Sequence, residues 1–153
     1  MIFKKNLNIN NFYKKYNENL NYSLSNIDKK TIFKIIHLIE KKIKEKKRIF
    51  TCGNGGSASV SNHFLCDYNK SIKEFSKNKI KPRVISLSNS IENITAISND
   101  LNFNKIFSEQ LDNFCEKGDC LIALSCSGKS KNIIEALAHA KKRGAVTVLI
   151  TGF

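Results

Sequence analysis

Hydrophobic positions follow two different patterns along this chain. Between residues 9 and 24, Ile9, Phe12, Tyr13, Tyr16, Leu20 and Leu24 recur at three- and four-residue intervals, the spacing of one helix face. Asp28 then reads as the N-cap of a second helix, whose Ile32, Ile35, Ile36, Ile39 and Ile43 form a seam close to a heptad. Two such striped helices can pack on the core, on each other or on a second copy of the chain. From residue 48 the apolar residues gather into short runs instead. Residues 48–52, 83–87, 120–125 and 146–150 are too short for helices and are bounded by turn residues, so each predicts a strand.

Helical segments fill the gaps. One starts at Ser57. A second covers 91–98, capped by Ser88 or Ser90 and ending at Asn99-Asp100. A third covers 103–115, with Ile106, Phe107, Leu111 and Phe114 on one side. A fourth covers 132–142 and closes with Arg143-Gly144, a basic last turn followed by glycine. Residues 69–83 are basic, end near Pro82 and read as a surface excursion. Strands that alternate with helices and are apolar throughout predict an α/β fold, with a parallel sheet covered on both faces in three layers. Residues 1–47 then form an N-terminal helical pair for packing or oligomerisation, and 48–153 the α/β domain.

Composition adds limits. The 153 residues suffice for one domain with a core, and 41% hydrophobic and 25% charged residues are ordinary for a globular chain. No apolar run approaches the ~20 residues that span a bilayer. MIFKKNLNIN lacks the apolar stretch of a signal peptide, so the expected compartment is the cytoplasm and no membrane partner is expected. Cys52, Cys66, Cys115, Cys120 and Cys126 are odd in number and form no CxxC pair, which suits reduced thiols. The net charge of +13 raises nucleic acid as a partner. Its distribution argues otherwise: residues 1–50 hold 13 Lys/Arg against 4 acids, whereas from residue 84 the count is 7 against 7. The surplus is lysine on helix faces, a solvated surface rather than a nucleic-acid footprint.

Two loops carry the chemistry. In CLIALSCSGKS, residues 120–130, an apolar strand runs into Ser125-Cys126-Ser127-Gly128-Lys129-Ser130 and then a helix. Unpaired first-turn N–H groups, the positive helix end and three hydroxyls suit the phosphate of a small molecule. Serines at that place are also ordinary N-caps. In the second loop, strand 48–52 runs into Gly53-Asn54-Gly55-Gly56-Ser57, where three glycines permit close backbone approach to a ligand. The spacing is not the GxGxxG dinucleotide fingerprint, so no nucleotide cofactor is expected. His63 and Asp67 share a helix face four residues apart, with Cys66 adjacent. Such a pair binds a metal, shares protons, or is a plain surface hydrogen bond. Both loops and Asn99-Asp100 follow strands, so they can converge where ligands sit in parallel sheets.

These stretches in this order, Cys52-Gly53-Asn54-Gly55-Gly56-Ser57, His63-Phe64, Asn99-Asp100 and Ser125-Cys126-Ser127-Gly128-Lys129-Ser130, resemble the sugar isomerase (SIS) domain family, and within it the phosphoheptose isomerases. The likeness covers roughly residues 48–153, and the two N-terminal helices also fit. It implies that Ser125, Ser127 and Ser130 bind phosphate, with Cys126 standing where the family has threonine. It implies that the backbone of Asn54, Gly55 and Gly56, beside Ser57, meets sugar hydroxyls, as do Asn99 and Asp100. His63 matches a zinc-binding histidine of some members. Asp67 matches the catalytic glutamate, which can also ligate that zinc, and is one methylene shorter. The family's later strand and helix, with a glutamine and a second catalytic histidine, have no counterpart in the sequence. The chain is therefore expected to be a fragment, a truncated reading frame or a protein that has lost catalysis.

What the resemblance implies is interconversion of sedoheptulose 7-phosphate and D-glycero-D-manno-heptose 7-phosphate through an enediol, feeding lipopolysaccharide or capsule precursors. Asp67 is the candidate base, zinc the candidate metal and a homotetramer the implied assembly. The competing reading is a non-catalytic SIS module that binds sugar phosphates or proteins. A nucleotide hydrolase is a poorer fit, because the GxxxxGK[ST] pattern needs glycine where Ala123 stands.

Overall fold

The computed structural model describes residues 8–152. The reading of residues 1–10 as lacking a signal peptide falls mostly outside them. The chain divides into two compact units, residues 1–36 and 37–153.

In the first unit, α1 (Ile9–Ser25) starts where the Asn8 side chain accepts from the N–H groups of Asn10 and Asn11. None of its residues is buried, and Phe12 stacks on Tyr16. The turn after it ends at Asp28, which accepts from Lys30 N–H and the Thr31 hydroxyl and so caps α2 (Lys29–Lys44).

The second unit begins within α2, earlier than residue 47, because Ile39 and Lys42 of that helix are already buried. Its sheet holds β1 (Arg48–Gly53), β2 (Arg83–Ser86), β3 (Cys120–Ser125) and β4 (Val146–Thr151) in the order β2-β1-β3-β4, all parallel. β1 and β3 are central and nearly all buried, as their unbroken apolar runs require. α3 (Gly56–Cys66) packs on β1 and β2, and α7 (Lys131–Lys142) on β3 and β4. Right-handed crossovers put these helices on opposite faces of the sheet. α5 (Ile91–Asp100) and α6 (Ser108–Phe114) lie between β2 and β3 in sequence, and α6 packs against α7. The core on the α6–α7 side joins Phe50 and Cys52, Leu121 and Ala123, Phe107 and Leu111, and Ile133, Ala136 and Ala140. The other face is partly polar: Ser61 donates to Thr51 Oγ1 at 2.8 Å and lies 2.8 Å from Ser86 Oγ, which donates to Asn62.

Three expectations change. Residues 69–75 are not a surface excursion. α3 continues through a π-helical stretch, Asp67–Ile72, into α4 (Lys73–Phe75), and the excursion begins only at Ser76. The wider turn lets the Asn69 side chain pair with Val84, accepting from its N–H and donating to its carbonyl, as a neighbouring strand would. The expected helix 103–115 is broken into a 3-10 turn, Phe103–Lys105, and α6. The Asn102 side chain caps the turn, and buried Ile106 and Phe107 form the joint. The expected helix 91–98 runs on to Asp100, so Asn99 and Asp100 form its last turn.

The lower end of the sheet is tied by Asp119. Its carboxylate accepts from the N–H groups of Arg48 and Glu116 and lies 3.4 Å from Arg48 Nε. Arg48 also pairs with Glu116 at 2.6 Å and donates to the Phe114 carbonyl. Among the described residues no helix is long and apolar enough to cross a membrane.

Candidate functional site

Strand order locates the crevice. β1 leads outward to β2 in one direction and β3 outward to β4 in the other, so the order reverses between β1 and β3. Ligands of open α/β sheets bind at this reversal, beyond the carboxyl ends of the strands. Here those ends are Gly53-Asn54 and Ser125-Cys126, the starts of the two loops singled out by sequence.

Side chains join the two loops. Asn54 Nδ2 donates to Asn132 Oδ1 at 2.9 Å, and Asn132 Nδ2 donates to Asn54 Oδ1 at 2.8 Å. Ser57 Oγ lies 3.8 Å from Cys126 Sγ. Ser88 ties the first loop to the end of β2: Gly53 N–H donates to its hydroxyl at 3.1 Å, and the hydroxyl donates to Gly53 O at 2.9 Å. Of the two serines proposed as caps after β2, Ser90 caps α5 and Ser88 serves this contact. Gly53 is required for steric reasons, since a Cβ there would sit 2.5 Å from the Ser57 carbonyl oxygen. Gly55 has φ +52° and nothing nearby, so conformation alone selects glycine.

The second loop presents hydroxyls at a helix start, groups that can meet an anion. Gly128 turns the chain at φ +64°, against Thr151. Ser127 Oγ accepts from Lys129 N–H, a local turn. Ser130 stands at the N-cap of α7, yet its side chain makes no capping hydrogen bond; its hydroxyl faces Ser125 Oγ at 3.4 Å. The hydroxyl is therefore not consumed by the helix. The first turn of α7 has no acidic residue; Lys131 opens it and Lys129 precedes its cap. A lysine at the positive end of a helix is unfavourable by a few tenths of a kcal/mol, a cost that a bound anion removes. Cys126 and Ser127 are exposed and Ser125 is buried.

The other candidates pair with one another. His63 Nδ1 is 3.1 Å from Asp67 Oδ2, and both side chains are largely exposed. Asp67 is ten residues beyond Ser57, about 15 Å along the helix at 1.5 Å per residue. Asn99 donates to Asp100 at 2.9 Å, nine residues beyond the cap Ser90, or about 13 Å along α5. Among the described residues no hydrogen bond joins either pair to the loops. Zinc takes four ligands, whereas His63 and Asp67 supply two from one exposed face. No group of three His, Cys, Asp or Glu suited to a metal occurs among the described residues. That pair alone does not fit zinc.

Comparison with known proteins agrees with the architecture. The model of the SIS domain matches residues 12–152. The chain belongs to the SIS domain family. As a SIS domain it is 38% identical over 110 residues to a phosphoheptose isomerase of a Nitratiruptor species, covering 72% of this chain and 57% of that one. It is 33% identical over 139 residues to a probable phosphoheptose isomerase of Thermoplasma acidophilum, covering 91% and 75%. A solved phosphoheptose isomerase of Neisseria gonorrhoeae superposes with a TM-score of 0.81 at 26% identity, over 93% of this chain and 73% of that one. The chain thus spans about half the length of several curated relatives that it matches. The parallel four-stranded α/β fold is that of SIS structures.

Two contributors escaped the sequence reading. Asn132 lies 78 residues from Asn54, and nothing local marks it. Ser88 was visible only as one of two alternative caps.

Proposed function

We propose that this SIS domain binds a phosphorylated sugar across the β1 and β3 loops, as part of a cytoplasmic aldose–ketose isomerase of the phosphoheptose type. One observation carries the reading: at the point of strand-order reversal, a glycine loop and an anion-ready helix start are fastened together by side-chain hydrogen bonds. Phosphate at Ser125, Ser127 and Ser130 would meet hydroxyls, backbone N–H groups and the positive end of α7. The sugar would then lie over Asn54, Gly55 and Gly56, with Ser57 at the junction.

The relatives are named phosphoheptose isomerases, which supports a heptose phosphate as substrate, and the sequence resemblance points to sedoheptulose 7-phosphate. In that reaction a carboxylate removes the proton beside the carbonyl. The C–H electron pair becomes the enediolate double bond, the oxygen takes up a proton, and reversal at the neighbouring carbon completes the transfer. Asp67 is the candidate base, paired with His63. Its place down α3, away from the loop at the helix start, suits action on a sugar held by a second copy, in the oligomer that the resemblance implies.

The same distance favours a second reading, a non-catalytic sugar-phosphate-binding module. An isomerase assay of the purified chain with sedoheptulose 7-phosphate separates them. Turnover that disappears in Asp67→Asn supports the enzyme; tight binding without turnover supports the module. Absence of both binding and turnover would end the proposal.

A further inference from the structure

We infer that Asn132 is a positioning residue, which holds the sugar-side loop at a fixed distance from the phosphate helix by acting through Asn54. The inference rests on the proposed sugar-phosphate reading and deepens it. Asn132 is 2% exposed, in the first turn of α7. Its amide and that of Asn54 close a ring of two hydrogen bonds, at 2.9 and 2.8 Å. Two parallel bonds fix both the separation and the relative orientation of the groups they join. Asn132 Oδ1 also accepts from Ile133 N–H at 3.0 Å, so the side chain is anchored to the helix it stands on.

The loop needs such an anchor. Gly53 is held on its other side by Ser88, with two hydrogen bonds to one hydroxyl. Beyond Asn54 come Gly55 and Gly56, for which even an added Cβ would meet nothing within 4 Å. Glycines in open space have no packing to restrain them. On the far side Gly56 opens α3 and the Gly55 carbonyl accepts from the N–H groups of Ala58 and Ser59, which refers the loop to α3; among the described residues, its side-chain link to α7 is the Asn54 contact. Both polar atoms of the Asn54 amide are engaged by Asn132, so this side chain serves as a tether while the backbone beyond it faces the sugar. A ligand bearing phosphate and sugar hydroxyls together senses the spacing that the tether sets. Inorganic phosphate does not.

The test compares two ligands on the full chain, sedoheptulose 7-phosphate and inorganic phosphate, by calorimetric or NMR titration. Asn132→Ala is expected to weaken sugar-phosphate binding about tenfold, the size of one to two net hydrogen bonds, and to leave phosphate binding within about twofold. Asn54→Ala is expected to show the same selective loss, and the double variant no more than either alone, because both remove one contact. Circular dichroism checks folding. If Asn132→Ala does not fold, Asn54→Ala carries the test, since the Asn132 bond to Ile133 survives in it. Equal losses for both ligands, additive losses, or no loss would overturn the inference while leaving the proposed function standing. A wild-type chain that binds neither ligand would overturn both.

Discussion

Replacing Gly53 by alanine places a methyl group inside the first turn of α3. The new Cβ would lie 2.5 Å from the Ser57 carbonyl oxygen, 2.6 Å from its carbon and 2.7 Å from its Cβ. Favourable contacts between heavy atoms begin near 3.5 Å, so about 1 Å of displacement is needed. The nearest atoms belong to Ser57 and include its backbone, so no rotation of a flexible side-chain end relieves the overlap. Gly53 cannot simply retreat, because it is paired with Leu124 in the sheet and held by Ser88. Overpacking of this kind costs about 1–3 kcal/mol, and each lost Ser88 hydrogen bond adds about 1 kcal/mol. A total of about 2–5 kcal/mol corresponds to a fall in Tm of about 5–15 °C for a chain of this size. Gly56→Ala is the control: its Cβ meets nothing within 4 Å, and it lies in a helix, where alanine is preferred. Its Tm should stay within about 2 °C of the wild type or rise. Thermal unfolding followed by circular dichroism reads both. Gly53→Ala melting together with Gly56→Ala would refute the steric account of the first loop.

Other perturbations probe the supports and the thiols. Asp119→Ala leaves the N–H groups of Arg48 and Glu116 without their acceptor in a buried place, and should cost about 2–5 kcal/mol in urea unfolding. The Arg48 hydrogen bond holds the Glu116 carboxyl below its ordinary 4.5. Between those values the unfolded chain binds more protons, so this contribution is present above 4.5 and lost as pH falls through the folded value. Thermal melts from about pH 6 to about pH 3 should therefore decline less steeply in Glu116→Gln. Burial pushes the Cys52 thiol up to about 12 and that of Cys120 to about 11, and raises Cys115 as well. Alkylation of the native chain at about pH 8 should label exposed Cys66 and Cys126 quickly and spare the other three by mass spectrometry. Rapid labelling of Cys52 would contradict the buried core.

The strands were legible because each is a short apolar run ended by glycine or serine; burial on both faces demands that composition of β1 and β3, while β4 keeps it although most of its residues are exposed. The two loops were legible because Gly53, Gly55 and Gly128 are forced by contact or by positive φ, which leaves a mark in sequence. The continuation of α3 through Phe75 was hidden, because exposed polar residues fill a helix surface and a loop alike. Phe103 to Phe114 read as one helix because Ile106, Phe107 and Leu111 keep helical spacing through the joint between the 3-10 turn and α6. The pairing of Asn54 with Asn132 left no trace, since a contact between residues 78 apart has no local pattern.

The central claim is that the turns after β1 and β3 together hold a phosphorylated sugar. An NMR titration of the labelled chain with sedoheptulose 7-phosphate tests it most directly. The account expects saturable shifts of the amides of Gly55, Gly56, Ser127, Gly128 and Ser130, with inorganic phosphate moving only the last three. Saturable shifts confined to other parts of the chain, or none at millimolar ligand, would contradict it.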